Sequence, residues 1–199
     1  MPKYKMAVKK VLQIGDPLLK TTNSKITDFD SQHIYKLVLD LSDTMRKNDL
    51  IGIAGPQIGE NYKIFITEIR KTKNRDLDQT DELRVYINPE ITDYSPQKTV
   101  IYEACGSVLH GRLFGPVSRP QKITIQAKNL DGTKFRLTCD GILSRVIQHE
   151  YDHMDGIEFL EKISDAKKMM SIEHYQKTIK MSKVQRRHSR ITIKEFPFV

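Results

Sequence analysis

The chain has 199 residues, of which 38% are hydrophobic and 29% charged, with a formal net charge of +8. That length suits one domain with a real core, and the composition excludes disordered and membrane-spanning classes. The charge is uneven: residues 176–199 hold seven Lys and Arg against Glu195 alone.

A single domain is therefore expected over residues 1–175, followed by a basic C-terminal extension over 176–199. The extension reads either as solvated chain or as a contact for an acidic partner such as ribosomal RNA. The opening Met1-Pro2-Lys3-Tyr4-Lys5-Met6 lacks the apolar run of an export signal, so a cytoplasmic location is expected, or an organelle if a transit peptide has been removed. Cys105 and Cys139 are accordingly expected as free thiols.

In chain order, Ile34, Leu37, Val38, Leu41 and Met45 recur at the helical period and predict a helix over 31–45, with Ser31 as N-cap. The Gly/Pro stretch Leu50–Gly59 breaks it. Ile64–Ile69 and Arg84–Asn88 read as strands, and the charged Arg70–Glu82 between them as a solvated loop. Gln121–Lys128 and Lys134–Cys139 alternate around Asp131-Gly132, a hairpin signal that makes Cys139 a core residue. Gly141–Met154 reads as a helix capped by Asp140 and ended by Gly156, apolar around almost its whole circumference and hence buried. Strands in the middle and helices towards both ends give an α+β protein.

That last helix carries His149, Glu150, Asp152 and His153, whose burial without partners is costly. A metal resolves the conflict. In the pattern H-E-x-x-H the two imidazoles, four apart, share one helix face, and the Glu lies beside the water that such an ion binds. Two His leave a catalytic site one protein ligand short. The candidates are a carboxylate, another His such as His174, or Cys105 in Glu103-Ala104-Cys105-Gly106-Ser107. A zinc endopeptidase also uses this pattern, whereas a structural zinc site needs four protein ligands and only three can be assembled.

Taken in order, Leu50 to Gln57, Glu103 to Ser107 and Gln148 to His153 resemble the three-motif signature of peptide deformylases. That signature reads roughly G-φ-G-φ-A-A-P-Q, E-G-C-x-S and Q-H-E-x-D-H. The likeness extends to Val11-Leu12-Gln13 with Asp16-Pro17, to Ile87-Asn88-Pro89-Glu90 and to Phe159-Leu160. It implies antiparallel sheets packed around the central helix, and removal of the formyl group from formyl-methionyl nascent peptides by a monomer. One divalent ion is implied on Cys105, His149 and His153, natively Fe(II), for which Zn(II), Ni(II) or Co(II) can substitute. Glu150 is the implied general acid/base, with the Gln57 amide and the Gly106 N–H as oxyanion donors. Ile51, Gly52, Ile53, Glu103, Ile142 and Arg145 are the implied substrate contacts. The alternatives are an H-E-x-x-H zinc peptidase and an inactive deformylase-like protein that binds the ribosome or RNA.

This chain departs from the pattern at Leu50 (usually Gly), Gly55 (usually the second Ala), Ala104 (usually Gly) and Gly106 (Leu in many members). Arg145 stands where many bacterial members have an aliphatic residue, as in the mitochondrial-type branch. It shares the ligand face of the helix, and two placements are open. Either the head enters the pocket, its burial offset by a carboxylate or hydrogen bonds, or, as preferred here, the stem lines the pocket and the head reaches outward near Glu150 or Asp152 as anchors.

Overall fold

The computed structural model describes residues 7–75 and 77–197, so the opening hexapeptide lies outside the described residues. The elements run α1 (Gln32–Lys47), β1 (Gly52–Ala54), β2 (Ile64–Ile69), β3 (Asp81–Tyr94), β4 (Lys98–Glu103), β5 (Leu113–Pro120), β6 (Lys122–Lys128), β7 (Lys134–Asp140), α2 (Gly141–Met154), β8 (Met170–Ser171), α3 (Ile172–Thr178), α4 (Lys183–Arg187) and β9 (Ile193–Pro197). One antiparallel sheet has the order β1-β2-β3-β6-β7-β9, the other β4-β5-β8. The α+β architecture around a central buried helix is the one expected.

The apolar period of α1 does what its spacing dictates. Ile34, Leu37, Val38, Leu41 and Met45 are buried against Ile53, Ile64, Ile66 and Ile87. Ser31 stands at the N-cap, but it serves through its carbonyl, which accepts from Ile34 and Tyr35 N–H, and not through its hydroxyl.

The hairpin turns at Gly132, whose φ of 81° a side chain would resist. Its register pairs Ile123 with Cys139, Ile125 with Leu137 and Ala127 with Phe135. Their apolar faces meet Ile142, Leu143, Val146, Ile147 and Met154 of α2. Leu143 and Ile147 are wholly buried, each contributing roughly 1.5–3 kcal/mol. Cys139 belongs to this core, and burial pushes its thiol up in pKa.

Three expectations need correction. Strand β3 is much longer than Arg84–Asn88, and β4 and β5 are the strand-like segments on either side of the Glu103–Ser107 break, which the sequence pattern leaves without bounds. The stretch 70–80 is not simply solvated: Thr72 and Arg75 form a bridge and Leu77 is buried. Nor is the basic stretch a free extension. Just before it Tyr175 stacks on Phe114, with ring centroids 3.8 Å apart; within it Gln185 bonds to Tyr102, and β9 pairs with β7, setting Cys139 opposite Ile193. Tyr175 and Gln185 are packed, while Lys177, Lys183, Arg187, Arg190 and Lys194 stay exposed. A few apolar or amide groups fix the segment, and its charge count hid them.

Candidate metal and catalytic site

Two short pieces of chain build the site. Cys105 follows directly on the end of β4, and α2 presents His149 and His153 one turn apart on the facing side. The thiol and the two imidazoles place their ligand atoms within 4.8 Å of one another, and Cys105 Sγ lies 3.2 Å from His153 Nε2. All three residues are buried. His174, the other candidate ligand, is exposed on α3 and outside this group.

The donor set fits a borderline-soft divalent ion with one position left for water or substrate. One buried atom supports that fit: Glu150 Oε2, beside the cluster, has no hydrogen-bond partner among the described residues, a costly arrangement unless something else sits against it.

Behind the ligands lies a buried charge network that sequence reasoning only half saw. Glu103 accepts from Arg119 Nε and Nη2 at 2.7 and 3.0 Å and from Arg145 Nη1 at 2.6 Å, and it contacts His149 Nδ1 at 3.0 Å. Burial alone would raise the Glu103 carboxyl, but Arg119, His149 and Arg145 hold it well below the usual carboxylate range. Burial also disfavours a charged His149, yet Cys105 and Glu103 outweigh that and raise its proton affinity. Glu103 thereby fixes the His149 ring with Nε2 turned to the ligand cluster. It braces the ring and also lines the cleft in which a substrate contact was expected of it. Arg119 was missed altogether. It also donates to Asp152 Oδ2 at 2.8 Å, and its only sequence signal is a lone Arg in a stretch of apolar and small residues.

Glu150 sits beside the cluster with its pKa raised to about 7, chiefly by burial. Opposite it, the Gln57 side chain is held from below by the Ala54 N–H, which donates to Oε1 at 2.8 Å. Its amide nitrogen points to Ser107 Oγ at 3.2 Å and Cys105 Sγ at 3.6 Å. The opening segment braces this corner, since Gln13 Nε2 donates to the Gly106 carbonyl at 2.9 Å. These groups open onto a cleft whose empty space, mouth included, is about 960 Å³. Ile51, Gly52, Gly106, Ile142 and Arg145 line it with Glu150. Ile53 does not: its side chain belongs to the core beneath α1. A Cβ on Gly52 would lie 2.5 Å from Val146 Cγ1 and 2.6 Å from Glu150 Oε1, so only glycine lets β1 approach α2 this closely.

A model of the polypeptide deformylase family matches residues 8–169. The chain belongs to the peptide deformylase family. The peptide deformylase of Natranaerobius thermophilus is 35% identical over 160 residues, 80% of this chain and 95% of that relative. That of Treponema pallidum is 31% identical over 162 residues, 81% and 92% of the two chains. Among solved structures, the Met-Ala-Ser-bound class I type b peptide deformylase of Acinetobacter baumannii superposes with a TM-score of 0.74 at 28% identity, covering 80% of this chain and 100% of that one.

The departures from the deformylase pattern now acquire a geometry. A Cβ on Gly106 would lie 2.9 Å from Leu50 Cδ1 and 3.3 Å from its Cδ2. Leu50 thus fills the space that a side chain at 106 would need, and the two departures are one exchange of bulk across the cleft. Gly55 is likewise built in, because a Cβ there would lie 2.5 Å from the Glu60 carbonyl oxygen. Arg145 neither reaches solvent nor pairs with Glu150 or Asp152. Its head is buried on Glu103, the Val117 carbonyl at 3.0 Å and the Thr99 carbonyl at 2.9 Å, and burial lowers its pKa.

Proposed function

We propose that deformylation in this enzyme runs on Glu150 as the proton carrier beside an ion held by Cys105, His149 and His153. The observation that carries the reading is a buried carboxylate with a pKa of about 7 and a free oxygen, next to three converging ligand atoms. Held there, a divalent ion supplies Lewis acidity to the attacking water and to the formyl oxygen. Glu150 takes the proton that water gives up on attacking the formyl carbon, and hands it to the amine nitrogen as the C–N bond breaks. Water and formamide become formate and a free amine. The Gln57 amide and the Gly106 N–H serve as donors to the developing oxyanion, and Gln13 and Ser107 hold them in place. Ile142, Val146 and the stem of Arg145 form the apolar wall for the methionine side chain, and the Ile51–Gly52 backbone pairs with the extended peptide. That the Acinetobacter relative was crystallised with Met-Ala-Ser supports a peptide in this cleft.

The native ion is proposed to be Fe(II), in keeping with one soft thiolate and two imidazoles. Iron-loaded protein should lose activity in air faster than nickel- or cobalt-loaded protein, and equal lifetimes would count against iron. The protein is further proposed to act as a cytoplasmic monomer whose exposed tail cations touch ribosomal RNA, read by co-sedimentation with ribosomes that weakens as salt rises. The direct test of the chemistry is a formyl-Met peptide offered beside a casein-type substrate. Formate and free amine should appear in equal amounts from the first, with no cleavage of the second. Cleavage of casein would favour a peptidase.

A further inference from the structure

Tyr102 lies opposite Pro116 in the β4–β5 register. Proline has no N–H to donate, so the main-chain groups of Tyr102 face the other edge of β4. Both are taken by one side chain from far along the sequence. Tyr102 N–H donates to Gln185 Oε1 at 3.1 Å, and Gln185 Nε2 donates to the Tyr102 carbonyl at 3.1 Å. The primary amide thereby reproduces the pair of bonds that a neighbouring strand would make. Gln185 is buried on α4, and its own N–H is capped by Ser182 Oγ at 3.2 Å. Around it, the C-terminal segment is fastened across the mouth of the cleft to the loop between β2 and β3. Gln176 Nε2 donates to Asn74 Oδ1 at 2.9 Å, Lys180 Nζ to the Lys73 carbonyl at 3.1 Å, and Ile191 N–H to Gln79 Oε1 at 2.8 Å. Tyr175, Gln185, Ser189 and Arg190 line the same cleft as Glu150 and Gly52.

We infer that Gln185 is a specificity-determining residue that limits pairing of the substrate with the β4 edge to its first two residues. The inference rests on the deformylase reading of the site. A peptide whose formyl group lies at Cys105 and which runs back along β4 passes Ala104 first. It reaches Tyr102 after roughly 10 Å, about three residues of extended chain. At that point the strand edge is already paired with the Gln185 amide. The third residue of the substrate finds no open donor and acceptor there, and the chain beyond it leaves the edge without further main-chain recognition.

The test is a length series on the metal-loaded full chain: formyl-Met-Ala, formyl-Met-Ala-Ser and formyl-Met-Ala-Ser-Ala, with kcat/KM for each. The affinities of the deformylated products Met-Ala and Met-Ala-Ser, measured by calorimetry, give a readout independent of turnover. In the wild type the third residue should change both quantities by less than about twofold. In Gln185→Ala the vacated edge should accept the third residue, with a gain of roughly tenfold for two new hydrogen bonds. Gln185→Glu, which keeps an acceptor for Tyr102 N–H but loses the donor, should gain about threefold. It decides the matter if Gln185→Ala also loses activity on formyl-Met-Ala and so reports a damaged fold. A wild type that already gains tenfold from its third residue, or variants that gain nothing, would overturn the selector. Absence of formate from every peptide would overturn the deformylase reading instead.

Discussion

The deep wall of the cleft and its roof are built from the same kinds of charged and amide groups, and they differ in almost every physical respect. In the wall, Glu103, Arg119 and Arg145 are side chains only 5–6% exposed, and each is engaged by two or more partners. In the roof, Arg186 meets Asp78 at 3.3 Å with both side chains about half exposed, and Gln176 and Lys180 add single hydrogen bonds to the loop between β2 and β3. An exposed pair is worth about 0–1 kcal/mol, whereas removing one partner from a buried set costs about 3–5 kcal/mol because a naked charge remains. The wall is therefore a preorganised frame behind Cys105, His149 and His153, and the polar fastenings of the roof to the loop between β2 and β3 are individually weak.

Substitutions in the wall should have the largest effects. Cys105→Ala should remove most of the bound metal and with it all turnover, since two His leave an incomplete site. Metal analysis that still finds one ion per chain would rule out Cys105 as a ligand. Glu150→Ala should retain the ion and lose turnover by about two to four orders of magnitude. A near-normal kcat would remove its assigned role.

Next comes Glu103→Ala, which strands Arg119 and Arg145. Denaturant unfolding should show a loss of about 3–5 kcal/mol, and metal affinity should drop by roughly 10–100-fold because His149 loses its brace. A variant as stable as the wild type would mean that the wall relaxes like the roof. Between wall and roof stand Leu50 and Gly106. Gly106→Leu alone should cost about 1–3 kcal/mol from overpacking, and Leu50→Gly combined with it should recover most of that loss. Additive losses in the double variant would show that the two positions do not share one space. The smallest effect belongs to the roof: Arg186→Ala should shift stability by no more than about 0.5 kcal/mol. A larger loss would make the cover part of the frame.

The sequence was most legible where one physical demand dominates. An apolar helix that nevertheless carries two His and a Glu demands partners for them deep in the fold, and the hairpin around Asp131-Gly132 requires its turn, so α2, β6 and β7 could be placed almost to the residue. Glu103 and Arg145 were correctly placed near the cleft but given the wrong company. Their ion pair joins β4 to α2, a separation in sequence that no periodicity reports. The roof was illegible for a different reason. Seven cations dominate the composition of its last 24 residues, while what fixes it is one stacked Tyr, one buried Gln and an edge strand whose pairing is settled only once β7 exists.

The Leu50–Gly106 contact also makes the two positions a single unit of this cleft. Leucine at both positions collides, and glycine at both leaves a void, so a change at one is felt through the other. The same coupling bears on inhibitors. A compound shaped to press against a leucine following Cys105 meets the Leu50 methyl groups in nearly the same space here, so its contact should respond to substitution of residue 50 rather than of residue 106.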